Sequence, residues 1–271
     1  MSLELRNMPQ SILQTQGLAK SFLGLQALQD FSITVHTNEI LGLIGPNGAG
    51  KTTCFNLLTG FLVPTGGRIL FQGKDITGSS PAQIARLGLA RTFQNIRVFH
   101  SLSVLDNIMT AAQMRTRYSL GELFLSAPGF HKKESQVKER AFDLINLLSL
   151  NEYINRPAAS LPYAYQRRLE IARALATEPQ LLLLDEPAAG MNPAESDNLH
   201  RLILDLRDRF GLTILLVEHD MRLVMNLCER IVVLNYGRII AEGKPETVRA
   251  DPQVITAYLG EDHTQLGVTR A

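Results

Sequence analysis

Cysteine is scarce in this chain. Cys54 and Cys228 are the only two among 271 residues, and no metal-ligand spacing relates them. That argues against a disulfide scaffold and a thiolate metal site, and fits two reduced thiols in a cytosolic protein. Net charge is nearly absent as well: Lys and Arg total 27 against 26 for Asp and Glu, a formal charge of +1. No global field therefore draws the chain to nucleic acid or to an acidic bilayer, although a local phosphate site stays possible. No apolar run approaches the ~18 to 20 residues that span a membrane. The first residues lack the basic start and apolar stretch of a secretory signal. Work at a membrane requires other chains to hold this one there. Internal repeats and low-complexity tracts are also missing.

What is present is an ordinary globular composition, 45% apolar and 20% charged, ample for a sizeable core. At roughly 150 residues per domain the length fits one large domain or one domain plus a subdomain. Apolar runs alternate with helical stretches, which predicts an α/β fold. Strands are expected at Ser32 to His36, Ile40 to Ile44, Arg68 to Phe71, Gln180 to Leu184, Leu212 to Val217 and Arg230 to Asn235. Helices are expected at Lys51 to Thr59, from Pro81 with Ser79 or Ser80 as cap, and at Gln166 to Thr177, Ala194 to Arg209 and Met221 to Leu227. From about Ser101 to Ala158 only helical periods occur, at Val104 to Met114 and Lys133 to Leu148. Between them, Ser119 to His131 contains Gly121, Pro128 and Gly129 and reads as a loop or a short helix-turn insertion.

The segment Gly45-Pro46-Asn47-Gly48-Ala49-Gly50-Lys51-Thr52 fits the pattern GxxxxGK[ST], and Thr53 follows. A polyphosphate is held best by several inward-pointing backbone N–H groups, in loop conformations that glycine tolerates and side chains obstruct. The loop opens a helix, whose first N–H groups and dipole favour an anion. Lys51 places a point charge on the β- and γ-phosphates of a nucleotide, and the Thr52 hydroxyl can ligate Mg²⁺. A preceding strand at Ile40 to Ile44 and a following helix supply the context that a chance glycine turn lacks.

Leu181 to Leu184 is an apolar strand ending in Asp185, Glu186 and Pro187. Alone, such a pair is as consistent with a strand leaving the core. Ligands of open α/β sheets sit at the carboxyl ends of strands, so beside a phosphate loop Asp185 is placed to hold the metal, directly or through water. Glu186 then polarises the attacking water as general base. Leu215-Leu216-Val217-Glu218-His219-Asp220 ends a further strand on the same side. A lone histidine is more often a surface or satisfied core residue; here His219 can hydrogen-bond the γ-phosphate and hold water and Glu186 in register.

The order of these segments resembles the ABC ATPase family: phosphate loop at 45–53, Gln94 within Arg91-Thr92-Phe93-Gln94, a signature-like segment near 161, Asp185-Glu186, then His219. The resemblance covers most of the chain. It implies a P-loop NTPase core with an antiparallel β-subdomain and an inserted α-helical subdomain. Residues 1–95 and 164–260 would form the nucleotide-binding core, 96–163 the helical subdomain and 261–271 a frayed tail. It assigns Gln94 to the shell of Mg²⁺ and attacking water and to communication with a membrane domain, and Phe22 to stacking on adenine. Two copies would stack head to tail, each ATP lying between one phosphate loop and the other subunit's signature segment.

That segment departs from the family's usual Leu-Ser-Gly-Gly-Gln. It reads Leu161-Pro162-Tyr163-Ala164-Tyr165, followed by Gln166-Arg167-Arg168-Leu169-Glu170, and Pro162 has neither hydroxyl nor N–H. Ala164 stands where a small residue lets the backbone approach. The trans contact is expected to survive through backbone and the dipole of a helix from Gln166, with fewer hydrogen bonds. Asn192 occupies a position where aspartate is common. These departures, Val217 to Met221 and the terminal Ala257-Tyr258-Leu259-Gly260 are similar to the LivG-type subfamily, ATP-binding subunits of bacterial branched-chain amino acid importers. The long insert carrying Phe124 to Phe130 is in keeping with it. This likeness implies partnership with an identical or related ATPase chain, transmembrane permease subunits and, indirectly, a periplasmic solute-binding protein, at the cytoplasmic face of the inner membrane. Alternatives are an exporter ATPase, for example for lipopolysaccharide, a non-transport ABC ATPase of DNA repair or translation, and a module that binds ATP without hydrolysing it. The DNA-repair kind needs a long coiled-coil insertion and the translation kind usually two cassettes, and neither is found here.

Overall fold

The computed structural model describes residues 10–116 and 128–259. Among the described residues two sheets are built from eleven strands: β1 Ser11–Phe22, β2 Leu25–Phe31, β3 Thr34–His36, β4 Ile40–Ile44, β5 Gly66–Phe71, β6 Lys74–Asp75, β7 Leu89–Arg91, β8 Leu181–Asp185, β9 Thr213–Val217, β10 Arg230–Asn235 and β11 Arg238–Gly243. One sheet has the order β2-β1-β5-β6 with β3 beside β1, and its pairs are antiparallel. The other has the order β11-β10-β4-β9-β8-β7, parallel throughout except for the β10–β11 hairpin.

Every residue of β4, β8 and β9 is buried, which is why these strands read as unbroken apolar runs rather than alternations. Side chains alternate across a strand, so each run serves two cores. Ile40, Ile44, Leu182, Leu184, Ile214 and Leu216 point into the one filled mainly by helices. Leu41, Leu43, Leu181, Leu183, Leu215 and Val217 point into the one shared with the antiparallel sheet and the helix after the phosphate loop.

The described helices are α1 Lys51–Leu58, α2 Pro81–Leu87, α3 Val104–Ala112, α4 Pro128–Leu147, α5 Tyr163–Ala176, α6 Pro193–Phe210, α7 Met221–Leu227, α8 Pro245–Arg249 and α9 Pro252–Leu259. Ser80 caps α2 through a reciprocal box with Gln83, as the serine before Pro81 leads one to expect. Asn192 caps α6 in the same way with Glu195, so the amide that replaces the usual carboxylate has a structural task of its own. Between β7 and β8 the described residues are helical, α3, α4 and α5 packing on one another.

Several elements differ from the expectations. The strand expected at Ser32 to His36 is only the short β3, and the long hairpin β1–β2 before it was not anticipated. Its residues mix polar and apolar side chains, and register shifts break their alternation. α5 begins at Tyr163, three residues before the expected Gln166. Pro162, at φ −55° and ψ 151°, sits at the N-cap, where a missing N–H costs nothing. The expected Ser119 to His131 loop falls mostly on residues 117–127, outside the described residues, and from Pro128 the chain is already helical. The tail from 261 and most of the segment from Phe124 to Phe130 also lie outside them. Both cysteines are buried free thiols. Burial pushes the Cys54 thiol well up, and that of Cys228 up to about 12.

Candidate active site

Strand order decides what meets at the site. β4, β9, β8 and β7 are successive parallel neighbours, so the segments leaving their carboxyl ends lie side by side. These are the phosphate loop, Glu218-His219, Asp185-Glu186 and Arg91 to Gln94.

The phosphate loop requires glycine at defined points. A Cβ on Gly45 (φ +155°) would come within 2.0 Å of the Leu234 carbonyl oxygen, and one on Gly50 (φ +109°) within 2.5 Å of the Ala27 carbonyl oxygen. Those approaches hold the loop against β10 and β2. Pro46 and Ala49 are buried, while Asn47 and Gly48 are exposed. Lys51 is buried, and its ammonium donates to the carbonyl oxygens of Gly45 at 2.5 Å and Pro46 at 2.9 Å. The cation thus lies inside the curl of the loop, where an anion would be received. Thr52 is exposed and Thr53 half-buried on the first turn of α1.

At the end of β8, Asp185 is buried and pairs through Oδ2 with Arg91 at 2.7 Å. Arg91 also donates to Asn56 at 2.7 Å and to Thr59 at 3.2 Å, so the end of β7 is bolted to both α1 and β8. Arg91 and Asn56 were missed as site residues. The only signal was an arginine three positions before Gln94. Glu186 takes the left-handed conformation, φ +47°, which costs a non-glycine residue about 1–3 kcal/mol and recurs where function constrains the chain. Its N–H donates to the Val217 carbonyl at 2.9 Å.

The structure brings Gln94, Glu186 and His219 together. Glu186 Oε2 accepts from Gln94 Nε2 at 2.7 Å, and Oε1 lies 2.5 Å from His219 Nε2. Glu218 had been given no role. It is buried beneath this group, accepting from the N–H of Ala188 at 2.9 Å and of His219 at 3.1 Å. Burial pushes its carboxyl up to about 7, with Glu186 nearby adding to the effect. Phe22 lies at the exposed end of β1, the residue 40% exposed and its ring centroid 5.1 Å from the Lys20 ammonium.

In the signature segment Leu161 is buried, Pro162 and Tyr163 are exposed, and Ala164 and Tyr165 are half-buried. The N–H groups of Tyr165 and Gln166 both turn back to the Pro162 carbonyl at 3.0 Å. The unsatisfied donors that every helix start leaves are therefore those of Tyr163 and Ala164.

Among the described residues no group of three or more His, Cys, Asp and Glu side chains is placed to hold a metal by itself. Mg²⁺ does not need one, because it keeps waters and takes its remaining oxygens from one or two protein groups and from phosphates. The oxygens present fit that demand. Thr52 is exposed beside Lys51, and the pair with Arg91 engages only Oδ2 of Asp185 and not Oδ1.

Residues 28–189 match the family model of the ABC transporter, a stretch from β2 to just past Glu186 that includes the phosphate loop, Gln94 and the signature segment. The chain belongs to the ABC transporter family. A second model, for the branched-chain amino acid ATP-binding cassette transporter, matches residues 238–264 of this ABC protein. It is 46% identical to the high-affinity branched-chain amino acid transport ATP-binding protein LivG of Escherichia coli K12, over 94% of this chain and 100% of LivG. It is 45% identical to the corresponding BraF of Pseudomonas aeruginosa, with the same coverage. Among solved structures, a nucleotide-free ATP-binding cassette from an ABC transporter superposes with a TM-score of 0.80 at 34% identity, covering 93% of this chain and 100% of that one. The ADP conformation of an ATP-binding cassette of an ABC transporter gives 0.80 at 35% identity, covering 93% and 99%. No helix among the described residues of this ABC protein is long and apolar enough to cross a membrane.

Proposed function

We propose that this chain is the ATP-binding and ATP-hydrolysing subunit of an importer for branched-chain amino acids. The observation that carries the hydrolytic reading is Glu186 held on both oxygens, by Gln94 at 2.7 Å and His219 at 2.5 Å, beside a loop that buries Lys51. A carboxylate so oriented takes a proton from water as that water attacks the γ-phosphate, and His219 and Gln94 fix its direction. Lys51 leaves its loop carbonyls for the phosphate oxygens. Thr52, Asp185 and Gln94 would hold Mg²⁺, which neutralises phosphate charge when bound. Phe22 offers an exposed ring for adenine. The solute follows from LivG and BraF, named for branched-chain amino acid transport.

In this reading two such subunits, identical or related, close on two ATP molecules. The Tyr163 and Ala164 N–H groups at the start of α5 receive the partner's γ-phosphate. Residues 1–95 and 164–260 act as the core and 96–163 as the helical subdomain. Transmembrane permease subunits hold the pair at the cytoplasmic face of the membrane and meet a periplasmic solute-binding protein on the other side. Support for a permease contact comes from a groove of about 780 Å³ lined by Phe61, Phe93, Arg97, Phe99 and Met114. Its apolar rings, with the guanidinium groups of Arg91, Arg97 and Arg173 and the Glu170 carboxyl among them, suit a short amphipathic helix.

Glu186→Gln tests the hydrolytic role. It should keep Mg-ATP affinity, lower kcat by about a hundredfold or more and accumulate an ATP-bound dimer on size exclusion. Hydrolysis at the wild-type rate would remove Glu186 as the base. Cysteines introduced at positions 95–99 should crosslink to a permease helix, and failure at all five would remove the groove from the permease contact.

A further inference from the structure

Behind the hydrolytic group, α5 is fastened to the segment carrying Gln94 by a buried pair of opposite charges. The Arg167 side chain is fully buried. Its NH1 donates to the Phe93 carbonyl at 2.6 Å and to Glu170 at 2.8 Å. Its NH2 donates to the Gln94 carbonyl at 2.8 Å and to the Tyr163 hydroxyl at 3.2 Å. Glu170 completes the clamp, its Oε1 accepting from the N–H groups of Phe93 and Arg97, each at 3.1 Å. Four hydrogen bonds thus fix the main chain of residues 93–97 on one turn of a helix more than 70 residues away in sequence.

Stability is a poor explanation for this arrangement. Desolvation of a buried ion pair roughly offsets its attraction, and apolar residues of similar volume often serve a core better. The Nε of Arg167 has no hydrogen-bond partner, which adds to the penalty. Burial also raises the Glu170 carboxyl above its ordinary range despite the adjoining guanidinium. What the pair does supply is direction. Gln94 reaches Glu186 only from a main chain placed where Arg167 and Glu170 hold it. At the other end of the clamp stands Tyr163, a residue of the divergent signature segment, with its ring against the loop that follows Glu186. A Cβ on Gly190 would lie 3.4 Å from that ring.

We infer that Arg167, braced by Glu170, is a positioning residue that joins Tyr163 to Gln94 and, through Gln94, to Glu186. The inference rests on the ATPase reading above and extends it. The segment that serves the partner's nucleotide and the group that hydrolyses the subunit's own are one mechanical unit, so occupancy of one site is felt at the other. The tyrosine of the divergent signature is the contact point of that linkage.

A double-mutant cycle on the full-length chain tests it, with steady-state ATPase kinetics and separate Mg-ATP affinities. Arg167→Met should lower kcat about tenfold and leave affinity within about twofold. In a Gln94→Ala background it should cause no further loss, because residues acting through one another are not additive. Should Arg167→Met fail to fold, Tyr163→Phe removes only the hydroxyl that accepts from Arg167. It should lower kcat about threefold in the wild-type background and not at all beside Gln94→Ala. Arg167→Lys, which keeps charge but not the forked geometry, should fail to restore kcat. Losses that multiply with Gln94→Ala, or that appear as weaker ATP affinity at unchanged kcat, would overturn the inference and leave the ATPase reading standing. A wild-type chain that bound Mg-ATP but never hydrolysed it, alone or with permease subunits, would overturn both.

Discussion

The two halves of the site are built from different materials. The phosphate loop is made of backbone, with Gly45 and Gly50 pressed against carbonyl oxygens of β10 and β2 and one lysine folded inside. The hydrolytic half is made of side chains, in which Arg91, Gln94, Asp185, Glu186, Glu218 and His219 are joined by hydrogen bonds across the ends of β7, β8 and β9. A backbone cradle tolerates almost no change at its contact points, because nothing smaller than glycine exists. A side-chain network can be varied one atom at a time, and each removal leaves a named partner exposed or unpaired. The first half explains why a nucleotide is received, the second why it is cut.

The harshest test of this contrast is Gly45→Ala. A methyl 2.0 Å from the Leu234 oxygen forces the loop off β10, and the expected result is loss of about 4 kcal/mol or more in stability together with nucleotide binding. A variant that bound ATP normally by equilibrium dialysis would show that the cradle is not held by that approach. Next in size is Arg91→Met, which leaves the buried Asp185 carboxylate without its cation. Such a break costs about 3–5 kcal/mol, read as a lower melting temperature without nucleotide. Mg-ATP should recover more of the loss than it adds to the wild type, because the metal takes over the same carboxylate.

A third test uses pH. The Glu218 carboxyl is raised in the folded state from 4.5 to about 7, so between those values the folded protein holds a proton that the unfolded chain has released. Stability contributed by this group is complete below about pH 4.5 and declines as pH rises through 7, by up to about 3 kcal/mol at 1.36 kcal/mol per unit. Glu218→Gln should flatten that part of the urea-unfolding profile. An unchanged slope between pH 5 and 7.5 would mean the carboxyl is already ionised at pH 5. The smallest effect is expected from Pro162→Ser at the start of α5. A serine hydroxyl can cap a helix that Pro162 leaves without a side-chain bond, worth about 1 kcal/mol and seen as a melting temperature higher by a few degrees.

How much of this was legible in the residues follows the same division. Backbone-built features announce themselves locally: Ile40 to Ile44 is β4 as expected, and the glycines around Lys51 mark the loop that follows. Leu181 to Leu184 names a fully buried strand, so its carboxyl end, with Asp185 and Glu186, was placed in advance. Side-chain networks are not local. Arg91 and Asp185 are 94 residues apart, and Glu170 and Phe93 are 77. Nothing in either neighbourhood specifies its partner until the order of β7, β8 and α5 is known. Gln94 was reached through family resemblance and His219 from its place at a further strand end, and the fold brings both to the carboxylate of Glu186. Elements shorter than a few residues, such as β7 and α8, or with broken alternation, such as β1, carry too little period to be read.

The two buried thiols have a practical consequence. With Cys54 and Cys228 both sealed in the interior and their sulfurs kept protonated, maleimides and disulfide-forming reagents find no reactive native sulfur in the folded protein. A single cysteine placed anywhere on the surface thus becomes the sole address for a fluorophore or spin label without first deleting the natural ones. Any labelling of the unaltered chain becomes a clock for global opening.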